Sequence, residues 1–388
     1  MIVGVPKETF PGERRVALVP SVAPTLIKSG IQVTVEAGAG AESTFRDEAY
    51  QEKGARLAES RGALFREADV IVQVRGLGVN RRAGRMDLEL LRRGQLLIGL
   101  QEPFLATKEV GELASTGVTL FALDLMPRIT RAQPMDVLTS MATVAGYKAV
   151  LLAAAALPRM FPLLMTAAGT ITPAKVLIVG AGVAGLQAVA TARRLGAMVR
   201  VYDMRPEVKE QAESLGARFV ALGAESGETT QGGYARPMDE AFHRRQQEIL
   251  AGEVRDSDVV IAAANVPGAR APVLITAEAV RAMRPGSVIV DLAAERGGNC
   301  QLTLAGETVV VNGVSVMGPV DLASTIPHDA SQMYSKNITS FLLHLAPKGQ
   351  LKLNQEDEII KGTLVACGGQ IVHPRLQARQ AQPVPTGR

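Results

Sequence analysis

The run KVLIVGAGVAGLQAVATARRLGAMVRVYD, Lys175 to Asp203, constrains this chain more than any other stretch. Lys175–Val179 reads as a buried strand and Met198–Tyr202 as a second. Between them Val183 to Leu195 carries helical spacing and stops at Gly196. The turn Gly180, Ala181, Gly182, Val183, Ala184, Gly185 is GxGxxG. In such a turn the first glycine permits a tight bend and the second lets a pyrophosphate approach the backbone. The third lets helix and strand pack closely, and the helix's first amides face the anion. Asp203, followed by Met204 and Arg205, stands where a carboxylate accepts hydrogen bonds from an adenosine ribose and repels a 2′-phosphate. The pattern implies a dinucleotide-binding unit selective for NAD over NADP.

A chain of 388 residues has room for a second core beside that unit. Apolar residues make up 47% and charged residues 21%, so the whole is expected to fold rather than stay disordered. The 42 basic and 38 acidic residues are interspersed, Trp is absent and aromatics are few, which argues against nucleic-acid binding. Cys300 and Cys367 stand alone, without metal-ligand spacing, and suggest a reducing compartment. No signal peptide is read before Ile2. The apolar stretch Ala149–Met165 is interrupted by Pro158, Arg159 and Pro162, and reads as a buried helix followed by a turn rather than a membrane span.

Strands are expected at Ile2–Val5, Ile31–Val35, Val70–Val74, Leu96–Leu100 and Val118–Leu123, alternating with helical segments. A long helix is expected from Asp136 to Leu157, with Gly169–Ala174 as a short link. The later strands are Lys175–Val179, Met198–Tyr202, Arg218–Leu222, Asp258–Ala262, Ser287–Asp291 and Val314–Met317. This alternation predicts an α/β protein of two doubly wound parallel-sheet domains, the second a Rossmann NAD-binding domain. A helix from Ser324 has an apolar face that includes Met333, Ile338, Phe341 and Leu345, and is expected to return to the first domain. The expected divisions are 1–137, 138–323, 324–375 and a flexible tail over 376–388.

Five strings carry a family resemblance: GVPKETFPGERRVALVP, LMPRITRAQPMDVLTS, YDMRPEVKEQAESLGA, GGYARPM and DEIIKGTLVACGGQIVHP. Over essentially its whole length the chain resembles the NAD-binding subunit (domain I) of proton-translocating NAD(P) transhydrogenase and, more weakly, alanine dehydrogenases. The resemblance implies a homodimeric NAD(H)-binding component. It would sit at the inner face of the cell membrane through two partners, an NADP(H)-binding beta subunit and a membrane-spanning proton-channel subunit. Hydride would pass directly from NADH to NADP⁺ on the partner, coupled to proton movement elsewhere.

Arg128, Gln133 and Asp136 resemble the family's set around the dihydronicotinamide, its ribose and the pyrophosphate side, with Thr139 where the family often has serine. Asp136 is also suited to cap the following helix, or to hold Arg128. Gly233, Tyr234 and Ala235 lie in a glycine-rich stretch that, by resemblance, closes over the nucleotide, although Arg236 and Pro237 depart from the family pattern; a solvent loop is the alternative. Ala263, Ala264 and Asn265 follow a strand whose carboxyl end faces the ligand crevice. Asn265 is placed to bond a ribose, while the alanines serve either the cofactor or close packing. Alanine dehydrogenases use a lysine and a histidine at positions placed here at Gln73 and Gln101, and no histidine occurs before His243. Amino-acid oxidation moves a proton as well as a hydride and requires a group that titrates near neutrality. Transfer between two nicotinamides requires none, which favours the transhydrogenase reading over an amino-acid oxidoreductase; a non-catalytic NAD-binding module is the other alternative. Lys7, Arg14 and Arg15 are expected in structural ion pairs or on a partner-facing surface.

Overall fold

The structure is a computed structural model and describes residues 1–220, 240–265 and 269–381. The chain forms two compact units, unit 1 from Met1–Met141 with Ser324–Arg388 and unit 2 from Ala142–Ala323. Unit 1 begins with β1 (Ile2–Val5), β2 (Gln32–Glu36), β3 (Arg56–Ala58), β4 (Val70–Arg75), β5 (Leu96–Leu100) and β6 (Thr119–Ala122). Unit 2 contains β7 (Leu164–Thr166), β8 (Gly169–Ile171), β9 (Lys175–Val179), β10 (Met198–Tyr202), β11 (Arg218–Val220), β12 (Val259–Ala262), β13 (Val288–Asp291), β14 (Thr308–Val311) and β15 (Val314–Met317). Unit 1 is completed by β16 (Leu364–Cys367) and β17 (Gln370–Ile371).

Each unit is built on one large sheet. In unit 1 the order is β17-β16-β6-β5-β4-β1-β2-β3, and in unit 2 it is β11-β10-β9-β12-β13-β15-β14. Pairing from β3 through β6 is parallel, with β16 and β17 antiparallel at one edge. In the large sheet of unit 2 only β14 is antiparallel. In both sheets the first strand of the unit's crossover series lies centrally and the order reverses beside it, which makes a switch point at the carboxyl ends of the strands.

The apolar runs that signal these strands are buried on both faces, as parallel sheets require. Along β9, Val176 and Ile178 enter one core cluster, while Leu177 and Val179 enter another on the opposite face. The first cluster is filled by Ala188, Val189 and Ala192 from the helix Val183–Arg194, and by Ala149, Val150 and Ala153 from the helix Val137–Ala156. The second takes Leu250 and Val254 from the helix Glu240–Arg255. By length and composition Val137–Ala156 is the one helix among the described residues that could cross a membrane. Its apolar residues at 149, 150 and 153 are buried inside unit 2.

Several elements differ from the expectations. The segment after Ala156 is not a simple turn and link, because β7 and β8 form an antiparallel hairpin whose side chains are largely exposed. β3, β14, β16 and β17 have no counterpart among the expected strands. The strand expected to end at Leu222 is described to Val220, the rest lying outside the described residues. A helix, Pro374–Ala381, occupies the start of the segment expected as a tail. Leu376 is buried in the unit 1 core and Arg379 donates to the Phe104 carbonyl, so one apolar anchor and one long cation hold a sequence without apolar periodicity. The helix Pro327–Leu345 packs in unit 1 with Ile338, Phe341, Leu342 and Leu345 buried.

Candidate functional site

The glycine turn of unit 2 uses its glycines in three ways. Gly180 has φ +100°, open to glycine at little cost. A side chain at Gly182 would meet no protein atom within 4 Å. A Cβ on Gly185 would fall 1.8 Å from the Gly180 carbonyl oxygen, so this glycine sets how closely helix and strand approach. Gly182 is the N-cap of Val183–Arg194 and contributes no side-chain cap, so the first-turn amides face the open side of the turn. Gly146, which no sequence motif singles out, has the same function on the far side: its Cβ would lie 2.1 Å from the Ala184 carbonyl oxygen. An open, uncapped helix start over a turn that a Cβ would fill fits a pyrophosphate.

Asp203 closes the turn. One carboxylate oxygen accepts from the Ala181 amide at 2.6 Å and from Arg205 Nη2 at 3.0 Å; the other accepts from the Arg205 amide at 2.9 Å and Nε at 3.0 Å. Four donors occupy about four lone-pair sites, so a ribose hydroxyl can bond Asp203 only by sharing with or displacing Arg205. Met204 is half-buried against the second core cluster. At the end of β12 the Ala263 amide donates to the Val179 carbonyl at 2.7 Å, and the Ala264 backbone lies so near Gly180 that a Cβ there would approach Ala264 N to 2.8 Å. Close packing therefore accounts for these alanines, and Asn265 beside them is exposed.

Arg128, Gln133, Asp136 and Thr139 stand on unit 1, whereas 180–185, 203–205, 263 and 265 stand on unit 2. Gln133 is exposed on the 3-10 turn Thr130–Met135, which is pinned by buried Ala132 and Met135 and by Asn337 Nδ2 donating to the Pro134 carbonyl at 2.8 Å. Asp136 accepts from the Thr139 amide at 3.0 Å and the Thr139 hydroxyl at 2.7 Å, the capping role anticipated for it. Arg128 is exposed. Gly233, Tyr234 and Ala235 lie outside the described residues.

Arg15, expected in a structural ion pair, belongs to a buried charged cluster in unit 1 whose other members, Glu13 and Arg75, sequence reading did not place. Glu13, its side chain fully buried, accepts from Arg15 Nε at 2.7 Å and Arg75 Nε at 2.8 Å. Burial alone would raise the Glu13 carboxyl, but hydrogen bonds and charge from Arg15 and Arg75 bring it down to about 2. Arg75 also lies over the Phe10 ring, 4.3 Å from its centroid. The strand that holds Gln73 in place of a lysine thus carries its cation two residues on, while Gln73 Nε2 donates to Asp87. Gln101 is buried, and its Oε1 accepts from the Gly78 amide. The lack of histidine before His243 does not leave the first part of the chain without groups that titrate near neutrality. Burial and the nearby Glu13 push Glu8 up to about 8 despite amide bonds from Val74 and Arg75, and burial pushes Asp124 up to about 6.

The chain matches the family model described as alanine dehydrogenase/PNT, N-terminal domain, over residues 4–145, and alanine dehydrogenase/PNT, C-terminal domain, over 149–374. It is 43% identical over 385 residues to an NAD(P) transhydrogenase subunit alpha chain of Rhodospirillum rubrum, covering 98% of this chain and 100% of the relative. Among solved structures it is similar to a transhydrogenase from Sinorhizobium meliloti, with a TM-score of 0.86 at 42% identity over 96% of this chain and 100% of that one. An L-alanine dehydrogenase structure is similar at TM-score 0.79 but only 27% identity, over 97% and 98% of the two chains.

Proposed function

Because the chain belongs to the alanine dehydrogenase/PNT family, we propose that it is the NAD(H)-binding component of a proton-translocating NAD(P) transhydrogenase. The observation that carries this reading is full-length likeness to a transhydrogenase alpha-subunit chain, joined to a glycine turn shaped for a pyrophosphate. In this reading a bound NADH supplies a hydride from its dihydronicotinamide to NADP⁺ held by a beta subunit, leaving NAD⁺ and NADPH with no proton exchanged at the reacting carbons. The amides of the first turn of Val183–Arg194 bind the pyrophosphate, and Asp203 takes the adenosine ribose by sharing its oxygens with Arg205. Gln133 orients the carboxamide, and Asp136 and Thr139 hold the start of the helix behind it. Arg128 supplies a cation at the pyrophosphate side, and Asn265 reaches a ribose. The chain's contribution to rate is placement and exclusion of water. A membrane-spanning partner carries the protons and keeps this component at the inner face of the membrane.

The isolated protein should bind NADH in preference to NADPH and leave NADH unoxidised in the presence of pyruvate and ammonium. Adding an NADP(H)-binding transhydrogenase subunit should start hydride transfer. Gln133→Ala should slow that transfer by about 10²-fold, because a misplaced ring loses alignment, while shifting NADH affinity no more than about threefold. Pyruvate-dependent NADH oxidation by the isolated chain would favour an amino-acid oxidoreductase, which Glu8 and Asp124 could serve as titrating groups. Binding without transfer on mixing would leave only a nucleotide-binding module.

We place homodimer formation in the same reading. Met160, Leu163, Met165 and Ile171, on and beside the β7–β8 hairpin, are 49%, 53%, 78% and 41% exposed, a concentration of apolar surface that a second copy would cover. Light scattering should give twice the mass of the chain, and Met165→Glu with Leu163→Glu should halve it.

A further inference from the structure

Asn299 makes more directed contacts than its place in a loop requires. It is fully buried, and its side chain holds one residue by both backbone groups: Oδ1 accepts from the Ala264 amide at 3.0 Å and Nδ2 donates to the Ala264 carbonyl at 2.8 Å. Nδ2 also donates to the Pro272 carbonyl at 2.8 Å. The Asn299 carbonyl accepts from the Leu274 and Ile275 amides at 2.8 and 2.9 Å. Its own amide is fixed by Asp291, a carboxylate buried at the end of β13 that also takes the amides of Ala293 and Cys300 and the Thr303 hydroxyl. Asp291 therefore sets Asn299, and Asn299 sets the peptide of Ala264. Donor and acceptor partners match the amide's two ends uniquely, so an apolar side chain here would take this partner from three backbone groups.

The sheet order says what that peptide is near. β9, followed by the glycine turn, lies between β10, which is followed by Asp203, and β12, which is followed by Ala263–Asn265. A dinucleotide whose adenosine ribose lies at Asp203 and whose pyrophosphate lies at the turn extends its other half across the end of β12. We propose that Asn299 is a positioning residue for the nicotinamide half of the nucleotide, acting through the Ala264 peptide without touching the ligand. The inference rests on the nucleotide reading above and adds to it a residue on a different strand connection, 119 positions after Gly180. Loss of the amide frees Ala264 to shift toward or away from Gly180, with which it is already in close contact. The adenosine half, held by β10 and the helix Val183–Arg194, does not depend on that peptide.

The test compares Asn299→Ala with the unmodified full chain, titrating each with NADH and with 5′-AMP as the adenosine-half probe. The expected result is a loss of at least tenfold in NADH affinity with AMP affinity held within twofold. Equal losses for both ligands would make Asn299 a general support of the fold and overturn the proposal; unchanged affinity for NADH would overturn it too. A second measurement needs no variant: in the unmodified protein NADH, but not AMP, should slow amide hydrogen exchange over residues 263–265. Equal protection by the two ligands would overturn the inference even if Asn299→Ala does not fold. Should the unmodified protein bind neither probe, the nucleotide reading itself fails, an outcome distinct from any of these.

Discussion

Glu13→Gln should lower the unfolding free energy of the protein by about 3–5 kcal/mol, the usual range when one partner of a buried ion pair loses its charge. Glu13 serves two guanidiniums from a side chain with no exposed surface, and Arg15 and Arg75 are themselves 3% and 9% exposed at the side chain. Glutamine keeps the shape but supplies no anion, so both cations lose their buried countercharge. The pH profile checks the assignment. Glu13 has a folded pKa of about 2 against an ordinary 4.5, so its contribution is fully present above 4.5 and fades as pH falls through about 2. Glu8 acts with the opposite sign. Its folded pKa of about 8 means that the folded state keeps a proton the unfolded chain gives up, so stability falls as pH rises from 4.5 toward 8 and then levels. Denaturant melts from pH 3 to 9 should show both limbs in the unmodified protein. In Glu13→Gln the acid limb should flatten. An unchanged acid limb, or a loss under 1 kcal/mol, would show that Glu13 does not carry the charge balance of this cluster.

The same cluster marks the limit of what the chain discloses in one dimension. β1, β5 and β9 are almost wholly apolar because both faces are buried, whereas β10 and β15 carry Arg200 and Ser315 between buried residues. All five have the bounds their apolar residues suggest. β7 and β8 do not, since they pack little against the core and nothing in Leu164–Thr166 or Gly169–Ile171 had to alternate. β14 has a local signal that its apolar run alone does not disclose. VVVNGVSV has Asn312 and Gly313 at φ 51° and 75°, the two left-handed residues of a tight hairpin between two apolar runs. At the site, the spacing of Gly180, Gly182 and Gly185 exposed their separate functions because each acts on a neighbour a few residues away. Glu13 and Arg75 are 62 residues apart and Ala264 and Asn299 are 35 apart, so only the sheet order brings them together. The absence of early histidines speaks to residue type alone. Burial gives Glu8 and Asp124 pKa values that no composition reveals.

Gly185→Ala should abolish measurable NADH binding and destabilise the protein by about 1–3 kcal/mol through overpacking. The new methyl would lie 1.8 Å from the Gly180 carbonyl oxygen, a backbone atom just past β9 in a residue whose amide is tied to the Tyr202 carbonyl at 2.7 Å. The helix Val183–Arg194 must therefore retreat from β9, and its first amides move off the line on which a pyrophosphate meets them. Gly182→Ala separates the two effects. Gly182 has φ −75° and ψ −171°, which alanine adopts freely, and its Cβ would meet no protein atom within 4 Å. That variant should melt like the unmodified protein yet lose about 10²-fold in NADH affinity, because the methyl fills only the space the phosphates need. Calorimetric titration with paired thermal melts reads both quantities on both variants. Wild-type affinity in Gly182→Ala would mean that the nucleotide does not pass over this turn, and the loss in Gly185→Ala would then be a folding defect alone.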